Sequence, residues 1–533
     1  MTTIESSPEV AALASPDAST ARAATLITDW FASTDHKHIG RLYLAGGLLG
    51  LLAAVVLNVV LAVERLDGNT FSIDSGALSQ LIDAQRVALV FGTLLPLAMA
   101  MCVAVVPLQL GARAIAFPRL ASSGFWMWFG GLVLTIVALV NDGGTLGGEA
   151  DMVDLYIVGL GLMAIGLTAS AGALATSVLT TRAPGMTMRR IPPFAWSALV
   201  FSLGIVLVMP VFVGTLTYLF LDHRNSRTGF GGNSAIYEWA GWLFTQPASF
   251  LFAIPALGVF AEVLPVTFKQ RMPARGVMLS GLALVGVAAF AGVTQQRLHN
   301  DPVPFVQFNL LPVLGMLLII VVAMLVARPR RGMQVKVNPG FIFAVFGFGM
   351  ILVGMLGGVL YAIDDLDLQG TVFEEATLIF LVYGAALGAM GAVVYWAPKL
   401  WGRSLNVVFV APLALLGGAA TFLAAFPLYI AGFLGQPAGL AYADSDFEVW
   451  NVLALLGHAL MAATVVCFLG ALIATITGRS DAVGDDPWEA QTLEWATSSP
   501  APRDNFIQLP IVQSAEPLLD EQQPTGSTDR SEV

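Results

Sequence analysis

The stretch "LYLAGGLLGLLAAVVLNVVLAV", Leu42 to Val63, runs for 22 residues without an Asp, Glu, Lys or Arg. At 1.5 Å of rise per residue, about 20 apolar residues in a helix cross a hydrocarbon core of about 30 Å. The stretch predicts a membrane span, and eleven comparable runs follow it, near 87 to 110, 124 to 140, 153 to 179, 194 to 221, 239 to 268, 277 to 296, 303 to 327, 341 to 363, 376 to 397, 406 to 434 and 450 to 476. Lipid cannot satisfy backbone polar groups, so an open spanning segment has to be helical. The expected fold class is all-α: a polytopic membrane protein whose core is a twelve-transmembrane-helix bundle.

Composition agrees. Over 533 residues, 56% are hydrophobic and 11% charged, and the mean hydropathy of +0.77 lies outside the range of soluble globular chains. An even number of spans puts both termini on one side. With the N-terminus inside, 20 of the 25 basic residues fall in inner segments, and only Arg65, Arg86, Arg224, Arg227 and Arg297 fall outside. Basic residues favour cytoplasmic loops, so both termini are expected to be cytoplasmic. Residues 1–30, rich in Ala, Ser, Thr and Pro, read as a flexible arm; 31–480 as the membrane domain; and 481–533 as a polar, proline-rich cytoplasmic tail. The net charge of -11 is carried largely by outer loops such as "DDLDLQGTVFEE" (Asp364 to Glu375) and by the tail, which predicts solvated acidic surface and no nucleic-acid partner. Cys102 and Cys467, on widely separated spans, read as buried small hydrophobes with no disulfide framework.

Several segments resemble the heme-copper oxidase superfamily, specifically subunit I of cytochrome c oxidase. They are "TDHKHIGRLYL" (Thr34 to Leu44), "VPLQLGARAIAFPRL" (Val106 to Leu120), "RAPGMTMRRIPPFAWS" (Arg182 to Ser197), "YWAPKLWGR" (Tyr395 to Arg403) and "DPWEAQTLEWATSSPAPRDNF" (Asp486 to Phe506), in family order along residues 30–515. The resemblance implies twelve helices carrying a low-spin heme, a high-spin heme and a copper ion, which reduce dioxygen and pump protons. Such cofactors depend on imidazole ligands.

This chain has five His, and none stands at a position the family uses as a ligand. His36 and His38 belong to the N-terminal motif, His223 and His299 fall in outer loops, and His458 enters the last span, where an imidazole hydrogen-bonded between helices is expected. The family's span-6 HPEVY corresponds to "QPASF" (Gln246 to Phe250), and its span-7 HH pair to Gln295 and Gln296. The span-2 axial position falls on Gln85, and the span-10 HFH on "TLI" (Thr377 to Ile379), within one residue. The propionate-pairing GMPRR corresponds to "GQPAG" (Gly435 to Gly439), and the proton-entry Asp of GAPDMAFPR to Ala114. An amide oxygen is a feeble ligand for heme iron or cuprous copper. Heme ligands, copper ligands, propionate partners and proton carriers serve four different tasks, and all are replaced.

The sequence therefore predicts no heme, no copper and no catalytic residue, with Gln85, Gln246, Gln295, Gln296, Thr377 and Ile379 occupying the former ligand positions. A residual polar cleft is expected near Gln246, Gln295 and Gln296, since a buried amide without a partner costs roughly 2 to 7 kcal/mol. Glu374 and Glu375, where span 10 meets the outer interface, read as a solvated pair, with a contact to a cation or partner as the alternative and Asp154 on the same side. The leading functional expectation is a structural or assembly component of a respiratory-type membrane complex, embedded in a bacterial plasma membrane beside subunit II-like or III-like proteins. The alternatives are a working terminal oxidase, which requires other ligands, and a carrier of a small molecule or ion through the vacated core.

Overall fold

The computed structural model describes residues 33–66, 73–229, 236, 239–244, 248–294, 302–329, 335–438, 445–509 and 512–522. Among the described residues, twelve helices are long and apolar enough to cross a membrane: α1 His36–Glu64, α2 Gly76–Gln109, α3 Pro118–Val140, α4 Ala150–Thr180, α5 Pro193–Arg224, α6 Ala248–Thr267, α7 Arg275–Thr294, α8 Val303–Ala327, α9 Pro339–Tyr361, α10 Phe373–Trp401, α11 Val407–Phe433 and α12 Glu448–Ile476. One span differs from the sequence expectation at its start. α2 begins eleven residues before 87, because the polar turns around Gln80, Asp83 and Gln85 are buried against protein and need no lipid-compatible side chains. α6 is described from Ala248 onward.

Local chemistry sets the ends. Asp35 caps α1 by accepting the Lys37 N–H at 3.0 Å, Asn338 caps α9 through Phe341 N at 2.8 Å, and Asn406 caps α11 through Val408 N at 3.0 Å. A side-chain oxygen there satisfies an N–H that the helix leaves open. α10 ends at Gly402, whose φ of 69° suits a residue without a Cβ. Within α2, Ala88–Leu94 widen into a π-helical turn just before Pro96. The main-chain carbonyls of that turn find side chains: Thr93 Oγ1 donates to Ala88 O at 2.7 Å, and Trp128 Nε1 of α3 donates to Phe91 O at 2.9 Å. The turn also lies against α1, where a Cβ on Gly50 would sit 1.9 Å from Gly92 O. Only a glycine permits that approach.

Burial sorts the helices into a centre and a ring. The most apolar windows of α2 and α6 are wholly inside the protein and that of α10 is 94% inside, whereas only 33% of the windows of α8 and α12 is covered. Cys102, on α2, is buried as expected, but Cys467, on ring helix α12, is exposed, which corrects the expectation that both are interior. The face where α1 begins and α12 ends is the terminal face. The tail packs across it: Trp488 Nε1 donates to Tyr395 O at 2.9 Å, Gln491 Nε2 to Gln270 O at 3.0 Å, and Asn505 Nδ2 to Ala112 O at 2.7 Å.

Candidate functional site in the far half of the bundle

Away from the terminal face, a chain of hydrogen-bonded side chains crosses the centre. Gln85 Nε2 of α2 donates to Asn58 Oδ1 of α1 at 2.7 Å, Asn58 Nδ2 donates to the Tyr383 hydroxyl of α10 at 2.7 Å, and that hydroxyl meets His458 Nδ1 of α12 at 3.0 Å. All four side chains are buried. Each bond joins two different helices, so the network ties α1, α2, α10 and α12 together inside the bundle. His458 bridges helices as the sequence suggested; the ring also meets Tyr383 edge-on, at 5.9 Å between centroids and 86°.

Toward the far end, Arg65 Nη2 pairs with Glu375 Oε2 at 2.7 Å, the two side chains 9% and 20% exposed. Tyr361 donates its hydroxyl to Glu374 Oε2 at 3.0 Å. Glu374 and Glu375 are therefore not the solvated interfacial pair expected; each is tied to the protein interior, because α1 and α9 bring a cation and a phenol to the start of α10. His223, expected in an outer loop, lies instead in the last turn of α5, its Nδ1 2.7 Å from Asp154 Oδ1, with Arg224 Nη1 3.1 Å from Asp154 Oδ2. His36 is fully buried between α2 and the tail, with Nδ1 3.1 Å from Val103 O and Nε2 3.1 Å from Asn505 Oδ1.

The other positions singled out from sequence fare as follows. Thr377 Oγ1 donates to Phe373 O at 3.2 Å and lies 3.2 Å from the Tyr429 hydroxyl of α11. Ile379 is buried in the apolar core. Gln246, Gln295 and Gln296, and His299 with them, lie outside the described residues, and so does the polar cleft expected around the three glutamines. At the "GQPAG" segment, Gln436 is buried, its Nε2 donating to Asn451 Oδ1 at 3.1 Å, while Val372 N donates to Gln436 O at 3.0 Å and Ala438 N to Gly370 O at 2.8 Å. The central cavity that is described, about 20 Å³, is walled by Leu94, Met101, Phe252, Ala256, Ala386 and Ala389 of α2, α6 and α10 and is apolar. An apolar cavity offers water no partners. Among the described residues no three His, Cys, Asp or Glu side chains converge as a metal site.

Asn58 and Tyr383 were not singled out from the sequence. A single Asn in the apolar run of α1 was the available signal, because an amide in hydrocarbon requires a partner.

Twelve spans, three of them enclosed by the others, define a polytopic all-α integral membrane protein. The comparisons then place it. The family described as "Cytochrome C and Quinol oxidase polypeptide I" matches residues 38–460, and the chain belongs to this family. It is 30% identical to cytochrome c oxidase subunit 1 of Bacillus subtilis, over 94% of this chain and 84% of that protein. It is 27% identical to cytochrome bo(3) ubiquinol oxidase subunit 1 of Buchnera aphidicola subsp. Schizaphis graminum, over 91% and 78%. A putative cytochrome c oxidase subunit 1-beta of Streptomyces avermitilis is 28% identical, over 93% and 92%.

Proposed function

We propose that this chain is a subunit I-like scaffold that binds neither heme nor copper and serves as a structural or assembly component of a respiratory-type complex in a bacterial plasma membrane. Its partners in this reading are subunit II-like or III-like membrane proteins, and its terminal face is cytoplasmic. One observation carries the reading: Gln85, at the position corresponding to the family's span-2 axial ligand, is engaged with Asn58, Tyr383 and His458 in a closed side-chain network. The Gln85 amide and the Tyr383 hydroxyl are feeble ligands for iron, and the one imidazole here, His458, turns its Nδ1 to the Tyr383 hydroxyl at 3.0 Å, so the position of the axial ligand carries no imidazole of its own. The apolar wall of the central cavity and the engaged backbone around Gln436 lend further support, since heme propionates need cationic or N–H partners. The positions at Gln246, Gln295 and Gln296 enter the reading through their chemistry alone. Retained terminal-face contacts, with the tail seated on the bundle, suit a part kept for assembly rather than for electron transfer.

The test is an optical spectrum and metal analysis of the protein purified from its own membrane. Heme and copper far below one per chain are expected; heme at one or two per chain, reducible by dithionite, would sink the proposal. Identification of the co-purifying subunits tests the scaffold role separately.

A further inference from the structure

Under the terminal face lies a second buried polar cluster that the proposed function does not use. Glu262, near the end of α6, and Glu494, in the tail, are 2% and 0% exposed. Glu262 accepts from Phe194 N at 3.1 Å and from Thr492 Oγ1 at 3.1 Å. Glu494 Oε1 accepts from Gln109 Nε2 of α2 at 3.1 Å and from Trp396 Nε1 of α10 at 3.2 Å. The Thr492 hydroxyl also stands beside Glu494, linking the two acids.

Neither carboxylate has a cation on it among the described residues. Arg275 of α7 spends its guanidinium on Ile191 O and on Glu516 Oε1, the latter at 3.3 Å. Lys399 of α10 donates to Thr497 O and lies over the Trp495 ring, 5.2 Å from its centroid. Tyr395 of α10 and Asp486 of the tail complete the titratable groups nearby. Two buried negative charges side by side are unfavourable by several kcal/mol in any arrangement without a compensating positive charge. A small pocket of about 10 Å³, lined by Glu262, Arg275, Gln491, Thr492 and Glu516, lies on the Glu262 side of this pair.

Two orphan atoms identify what fills the gap. Glu494 Oε2 accepts no hydrogen bond of ordinary geometry, and neither does Gln109 Oε1, although both are buried and their side chains are already joined through Glu494 Oε1 and Gln109 Nε2. Two acceptors, on side chains already joined to each other, both lack a hydrogen. We infer that Glu494 carries a proton on Oε2 and donates it to Gln109 Oε1, closing an acid–amide pair with two parallel hydrogen bonds, and that the Glu262–Glu494 pair is a reversible proton-binding site supplied from the terminal-face pocket. A proton on Glu494 satisfies both orphans at once and leaves Glu262 as the single charge, held by a backbone N–H and a hydroxyl. Burial pushes the Glu494 carboxyl up from its ordinary range, in the same direction. Because Thr492 and Glu494 belong to the tail while Glu262, Gln109 and Trp396 belong to the bundle, the proton also governs how firmly the tail is held.

The sign follows from linkage. A carboxyl whose folded pKa is raised binds more protons folded than unfolded, so its contribution is complete below the unfolded value of about 4.3 and falls as pH rises through the window up to the folded value. Infrared titration of the full chain in lipid nanodiscs is the experiment, on wild type, Glu494→Gln and Glu262→Gln, with thermal unfolding followed over the same pH range. The expected result is a protonated-carboxyl band at neutral pH, lost in Glu494→Gln and kept at a shifted frequency in Glu262→Gln, with an unfolding temperature that falls with rising pH in wild type and is flatter in Glu494→Gln. A neutral-pH band unchanged by Glu494→Gln would overturn the inference. So would wild-type unfolding that depends on added Na⁺ or Ca²⁺ and not on pH, which would assign the site to a metal ion. If Glu494→Gln fails to fold, the wild-type titrations with protons and with cations decide by themselves.

Discussion

The far half of the bundle and its terminal face are held together by different mixtures of hydrogen bond. In the far half, the central contacts run from side chain to side chain across helices: Gln85 to Asn58, Asn58 to Tyr383, Tyr383 to His458, and Arg65 to Glu375. The terminal face has such pairs too, at Glu262 and Glu494, but adds many side chains that reach main-chain carbonyls: Arg41 to Leu400 O, Lys269 to Trp488 O, Lys399 to Thr497 O, Arg403 to Ser480 O and Trp488 to Tyr395 O. A carbonyl is present whatever residue carries it, so the second arrangement constrains only the donor. The first constrains both partners, and a single substitution strands a buried group. The two halves can therefore change sequence under different rules.

Perturbing each half in turn sharpens this contrast. The largest effect is expected at the ion pair: Glu375→Ala leaves Arg65 without its partner and should cost about 3 kcal/mol, the low end for a broken buried pair because the carboxylate is partly exposed. Replacing both members, Arg65→Met with Glu375→Leu, should recover most of that loss, as measured by thermal unfolding in detergent. Recovery would show that the cost lies in the stranded charge and not in the pair. Next, Tyr383→Phe removes the hydroxyl shared by Asn58 and His458 and should cost about 1 to 2 kcal/mol, within the range for hydrogen bonds between helices in membranes. Its double-mutant cycle with Asn58→Leu should show strong coupling; additivity would dissolve the network into independent bonds.

On the terminal face, Trp488→Phe keeps most of the ring packing and loses one donor to the Tyr395 carbonyl, for about 1 kcal/mol. Limited proteolysis of the tail should then quicken while unfolding of the bundle barely moves. A drop as large as that of Tyr383→Phe would erase the contrast between the halves. The smallest effect belongs to Asp35. Burial alone would raise its carboxyl, but the Lys37 ammonium and N–H outweigh that and hold it below the usual carboxylate range. Its contribution is full above the unfolded value of about 3.9 and is lost as pH falls through the lower folded value. Asp35→Asn should remove less than about 1 kcal/mol at neutral pH and flatten the acid limb of the stability profile.

Much of the fold was legible because spanning lipid demands long apolar runs, and ten of the twelve spans fall close to where those runs lie. The early start of α2 was hidden because Gln80, Asp83 and Gln85 look like loop chemistry until Gly144, Thr145 and Asn58 are seen to satisfy them. His458 was legible as an interhelical hydrogen bond, since an imidazole in a span has few other fates. Its partner was not, because a tyrosine in an apolar run carries no pattern of its own. Glu262 and Glu494 were missed for a related reason: one sits in "FAEVLP" and the other in a family motif, and nothing along the chain says that residues 232 positions apart meet. The signal that existed was an acid near the end of an apolar span with no basic residue a turn away.

The enclosure of α2, α6 and α10 reaches back to the making of the protein. In the finished bundle the most apolar 18-residue stretches of these helices lie inside the protein, yet their mean hydropathies of 2.4, 1.9 and 2.1 are comparable with those of the peripheral ones. Nothing in the mature architecture requires that, because a core helix can carry polar groups if its neighbours answer them. Insertion does require it: α2 leaves the translocon before most of the helices that will surround it exist, and must dwell in hydrocarbon until they arrive. The greasiness of the innermost helices is thus a record of a temporary address, kept for a stage of biogenesis that the completed molecule no longer displays.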